Sequence, residues 1–146
     1  MKRLSSMFLA MFVTVSFLLL PLGAQSAGFG PCVLSAPVAI DGDTLRADVN
    51  IWPGITMDAA IRVAGVDTPE LHASLLCERA MAINAKKFTD NWILANQPLT
   101  ISQIKPDKYA GRYDAIVTGS TGDSLAGALI ASGVGRPYTG GSRQPW

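Results

Sequence analysis

An Asp-Gly turn at Asp41-Gly42-Asp43-Thr44 and a proline stop at Asp67-Thr68-Pro69-Glu70 bracket a stretch of chain with a β pattern. After the first turn Leu45, Ala47 and Val49 alternate with Arg46 and Asp48, the period of a strand with one face turned inward. Ile51-Trp52-Pro53-Gly54 is a turn signal, and Met57 to Val66 reads as another strand through Ile61, Val63 and Val66. That strand ends at Thr68-Pro69, because proline cannot donate to a ladder. A hairpin of these two strands carries both acidic turns to the same end of the fold.

The remaining elements follow from the same reasoning. Cys32 to Ile40 reads as a strand running into the Asp41-Gly42 turn. From Cys77 to Ala95 the period changes, with Met81, Ala85, Phe88, Trp92 and Ile93 at helical spacing. Pro98 to Ile104 and Tyr113 to Thr118 read as two more strands. Asp123 or Ser124 can cap a short helix through Ala131 that Gly133 ends. The tail from Gly135 to Trp146 reads as irregular. Three strands, a helix, two strands and a helix predict a small β-barrel with helices packed against it, mainly β with added α.

The first residues read as an address. Lys2-Arg3 precedes an apolar run from Met7 to Leu22, and Ala24-Gln25-Ser26 supplies the small residues of a cleavage site. The run is short for a spanning helix, so residues 1–26 are expected to be a secretory signal cut near Ser26–Ala27. An uncleaved membrane anchor is the alternative. The mature body, 27–146, is then one domain, exported to a periplasm or the medium. Without Lys2 and Arg3 the 12 Lys+Arg fall just below the 11 Asp+Glu, a charge near −1. A protein that coats nucleic acid is usually basic, so any polyanion would be held locally. The only cysteines, Cys32 and Cys77, are expected to pair as a disulfide in an oxidising compartment.

Asp41, Asp43, Asp67 and Glu70 sit at strand ends, where a hard cation that prefers oxygen ligands would suit them. Each turn has a plain reading as turn chemistry alone; the pairing of the two raises the metal-site reading. Arg62 lies inside an apolar strand and needs a partner there. That partner is a structural carboxylate, Glu70 or Asp43, or else a phosphate taken by the guanidinium fork. Asp107-Lys108-Tyr109-Ala110-Gly111-Arg112 places a second arginine on a later loop, which by itself reads as a solvated loop. Tyr109, Tyr113 and Tyr138 offer stacking faces for a base, or simple packing.

These motifs, in this order and with the helix between them, resemble the staphylococcal nuclease (thermonuclease) family over about Val33 to Tyr138. The resemblance implies a five-stranded oligonucleotide-binding (OB) barrel, a Ca²⁺ cofactor, and hydrolysis of DNA and RNA with little sequence preference, leaving 3′-phosphate and 5′-hydroxyl ends. It implies Asp43, Asp67 and the Thr68 carbonyl as metal ligands, with Asp41 behind them. Glu70 would handle the attacking water and Arg62 and Arg112 the phosphate. Lys108, Tyr109 and Tyr138 are candidate nucleotide contacts. The loop before Arg112 is one residue longer than in the best-known member, and the basic C-terminal helix of that enzyme is missing. A non-catalytic nucleic-acid- or calcium-binding barrel of the same fold is the competing expectation.

Overall fold

The computed structural model describes residues 31–146. The expected signal at 1–26 and its cleavage point lie outside them. Cys32–Ala39 forms β1, Thr44–Trp52 forms β2 and Ile55–Val63 forms β3, with Pro53-Gly54 as the tight turn of the hairpin. Gly65–Asp67 is a separate short strand, β4, and Leu76–Ala95 is the long helix α1. Thr100–Pro106 (β5) and Arg112–Thr118 (β6) follow, then the short helix α2 over Leu125–Ala131 and a final strand β7 over Arg136–Tyr138. Ser124 caps α2 by accepting a hydrogen bond from the Gly127 N–H at 3.1 Å.

Five strands close into a barrel in the order β1-β2-β3-β6-β5. All neighbours are antiparallel except β3 and β6, which run parallel with Arg62 opposite Asp114. The expected β-barrel with helices is therefore present, with the arrangement of an OB-type barrel. Closure is helped by two irregularities on adjacent strands. Register shifts between Ser35 and Val38 and between Ser102 and Lys105, where Ala36 and Gln103 adopt φ of 47° and 53°. Bulges of this kind bend a strand and sharpen its twist. The alternation read in the sequence points Leu45, Ile61, Val63, Leu99, Ile101 and Val117 into the barrel, all essentially without solvent contact.

Two elements depart from the sequence reading. The strand expected over Met57 to Val66 breaks at Ala64, whose N–H bonds the Ala115 carbonyl at 2.9 Å. Gly65 then takes φ +89° and turns the chain out of the barrel. The tail is not irregular throughout: Arg136–Tyr138 pairs antiparallel with β4, setting Asp67 opposite Arg136. The expected disulfide is corrected as well, since Cys32 and Cys77 are both free. Cys32 is buried at the start of β1 beside Ile101 of β5, whereas Cys77 is exposed on the first turn of α1.

Candidate active site

The acidic end of the hairpin is held from below by α1. Thr89 on that helix donates to the Gly42 carbonyl at 2.6 Å, and the Asp90 carboxylate accepts from the Ala39 N–H at 3.3 Å. Gly42 is required here, because a Cβ on it would lie 2.7 Å from Thr68 Oγ1 and 2.8 Å from the Ala85 Cβ. Asp41 does not reach into the site; its Oδ1 accepts from the Asp43 N–H at 3.1 Å and shapes the turn. It thus stands behind the turn that presents Asp43.

Asp43 is 2% exposed. Its Oδ1 accepts from Thr44 Oγ1 and from Arg62 Nη1, both at 3.1 Å, and its Oδ2 from the Thr68 N–H at 3.2 Å. The first turn and the second are therefore joined through this one carboxylate. Burial pushes the Asp43 carboxyl up to about 6, against the opposing pull of Arg62, with Asp41 adding to the rise. Arg62 is thus engaged by Asp43, one of the two partners expected for a structural pair. Its Nη2 is nevertheless buried with no hydrogen-bond partner, 3.7 Å from Asp67 Oδ1.

Asp67 is fully buried, with three arginines around it. Its Oδ2 accepts from Arg136 Nη2 at 3.0 Å and from Trp146 Nε1 at 3.3 Å. Its Oδ1 has Arg143 Nε 2.9 Å away as an ion pair, but not aligned for a hydrogen bond, so the oxygen has no hydrogen-bond donor. Arg143 also forms an ion pair with Glu70, whose half-exposed side chain stands at the mouth of the site.

Arg62, Glu70, Arg112, Tyr138 and Arg143 line one open cavity of about 560 Å³, together with Lys108 and Tyr109. The parallel register explains why both arginines expected from the sequence share it. Ala60 lies opposite Arg112 and Arg62 opposite Asp114, so these four alternate with the core residues Ile61 and Ala115. Arg112 is steered by an ion pair with Asp107 and lies 4.6 Å above the Tyr109 ring. What burial Asp107 has would raise its carboxyl, yet the Arg112 and Lys108 hydrogen bonds hold it below its ordinary value. Lys108 Nζ lies 5.0 Å over the same ring, and Tyr138 lies 5.8 Å from the Arg62 guanidinium, its hydroxyl donating to the Gly141 carbonyl at 2.6 Å.

Among the described residues no three His, Cys, Asp or Glu side chains converge as a metal cluster. What converges is two buried carboxylates, four hard oxygens, with the Thr68 N–H donating to one of them. Asp67 Oδ1, which has guanidiniums near it but no hydrogen bond, is the atom that fits a cation. The residues present fit a hard divalent ion of the Ca²⁺ type bound through few protein ligands. Arg136, Arg143 and Trp146 were not marked by the sequence as site residues. Only their presence in a Gly- and Pro-rich stretch hinted at them, because no periodicity links such a tail to a carboxylate far upstream. Comparison with models of known protein families and with curated proteins finds no match to this chain.

Proposed function

We propose that this protein is an exported, calcium-dependent nuclease that hydrolyses phosphodiester bonds of DNA and RNA, leaving 3′-phosphate and 5′-hydroxyl ends. The observation that carries the reading is the meeting of four residues singled out by the sequence. Asp43 and Asp67 are buried side by side around Arg62, and Glu70 stands at the mouth of the same cavity. Asp67 Oδ1 and Arg62 Nη2 make no hydrogen bond and face each other at 3.7 Å, with Arg143 Nε 2.9 Å from the carboxylate oxygen.

In this reading Asp43, Asp67 and the Thr68 carbonyl hold Ca²⁺. When bound, that ion supplies positive charge against the phosphate oxygens and acidifies water. Glu70 has a half-exposed carboxylate at the mouth of the cavity and serves to orient the attacking water and take its proton. Arg62 is held by Asp43, and its buried Nη2, which makes no hydrogen bond and lies 3.7 Å from Asp67 Oδ1, is the donor it would turn to a phosphate oxygen. Arg112 lines the same cavity, its angle set by Asp107 and the Tyr109 ring. Lys108, Tyr109 and Tyr138 supply charge and flat faces to the neighbouring nucleotides, which suits binding that tolerates any base.

A second reading, a nucleic-acid-binding barrel without catalysis, is favoured by one observation: Glu70 is engaged by Arg143. Cleavage of single-stranded DNA at low salt separates the two readings. Cuts that require calcium, vanish with chelator and leave 3′-phosphates are expected of the nuclease. Bound but uncut DNA in the presence of calcium would support the binding module instead.

A further inference from the structure

The tail supplies positive charge to the same carboxylates that would take a cation. Asp67 alone meets Arg136 at 3.0 Å, Arg143 at 2.9 Å and Arg62 at 3.7 Å, while Arg143 also reaches Glu70. The three carboxylates Asp43, Asp67 and Glu70 are thereby matched by three guanidiniums. A divalent ion added beside these guanidiniums places two further positive charges among them, which favours the departure of one.

Arg143 is the one built to leave. Its side chain is 36% exposed, against 29% for Arg136 and 11% for Arg62. Arg136 is anchored in β7 and Arg62 in β3. Between β7 and Arg143 the chain passes through Gly140 and Gly141, with φ of +105° and +94°, a conformation that favours glycine and turns easily. Beyond Arg143 the tail closes over the site: Arg136 donates to the Pro145 carbonyl at 3.0 Å, and the Trp146 ring lies 4.1 Å from the Arg136 guanidinium.

We infer that the segment from Gly140 to Trp146 is a strap over the acidic site, in which the Arg143 guanidinium stands in for the divalent cation and is exchanged out when that cation binds. This rests on the cation site of the proposed function. Exchange frees Glu70 from its ion pair at the step that loads the site, so that the water-handling carboxylate is masked until then. It also moves Trp146, whose indole N–H bonds Asp67 in the strapped state. The apparent affinity of a site falls by the fraction of molecules in which it is open. Removing Arg143 is therefore expected to strengthen calcium binding.

The test is calcium titration by calorimetry and by tryptophan emission in the mature protein, in Arg143→Gln and in Trp146→Phe. Asp67 keeps Arg136 and Arg62 in Arg143→Gln, and Arg143→Lys serves as a second variant that retains the charge. Calcium should change the emission of the wild-type protein, and Trp146→Phe should abolish that change. Arg143→Gln should bind calcium on the order of tenfold more tightly, as when the strap is open about a tenth of the time. Arg143→Lys should fall between Arg143→Gln and the wild type. Wild-type binding with no Trp146 response, or with Arg143→Gln equal or weaker, overturns the strap and leaves the cation site standing. No calcium binding by any form, up to about 10 mM, removes the cation site and the strap together.

Discussion

Asp43 is a carboxylate kept out of water with a single arginine as its immediate counter-charge, and its behaviour with pH follows from that. Its carboxyl lies near 6 in the fold, raised chiefly by burial, against an ordinary 3.8. The folded state therefore holds a proton that the unfolded chain gives up between about pH 4 and pH 6. Where the native state binds more protons, stability falls as pH rises, so Asp43 contributes a loss of stability across that window. Denaturant unfolding at pH 4 and at pH 6.5 should show it, and Asp43→Asn should flatten the decline. An unchanged decline would mean that other groups set it. Glu70 makes a separate test at this scale. Glu70→Gln is expected to keep calcium binding and to lose about 10²- to 10⁴-fold in turnover, the range for a positioned base. Asp43, Asp67, Glu70 and Arg62 were all legible in the chain, because turn chemistry and an arginine within an apolar strand are local signals. The partners of Asp67 were not, since Arg136 and Trp146 lie 69 and 79 residues away.

At the scale of elements, the site exists because α1 presses on the Asp41-Gly42 turn while β4 leaves the barrel beside it. Thr89, Ala85 and Thr68 enclose Gly42, so Gly42→Ala must push turn and helix apart. A destabilisation of about 1–3 kcal/mol is expected from such overpacking, measured by thermal or denaturant melts. The loop between β5 and β6 is set differently, by bonds of its own: Arg112 N–H to the Tyr109 carbonyl at 3.2 Å and Asp107 N–H to the Arg112 carbonyl at 3.0 Å. Gly111 at φ +77° makes that turn possible, and Arg112 lines the cavity. Arg112→Ala should therefore slow cleavage far more than it weakens binding of a non-reacting nucleotide. Equal losses in both would point to uniform binding. The sequence placed the helix and the loop correctly but ran β3 and β4 together. An apolar run gives no sign of where a strand changes partners, and here the change depends on Ala115 and on β7.

For the molecule as a whole, the barrel separates the two cysteines into different environments. Cys32 is buried on β1 opposite Ile101 of β5, and Cys77 faces solvent on α1. A thiol reagent should therefore modify one cysteine in the folded protein and the second only on unfolding. No reactive thiol in folded, exported protein would restore the bridge expected from the compartment.

The sequence by itself determined most of the strand and helix pattern, a small β-barrel as the architecture, and the acidic turns at one end of the hairpin. Each depends on alternation, turn residues or proline within a few positions. Only the tertiary structure decided which charges meet. Asp67 draws its arginines from β3, β7 and the tail, and two cysteines that composition would join stay apart. Burial makes those pairings matter, because a carboxylate removed from water must find its counter-charge wherever the fold has placed one.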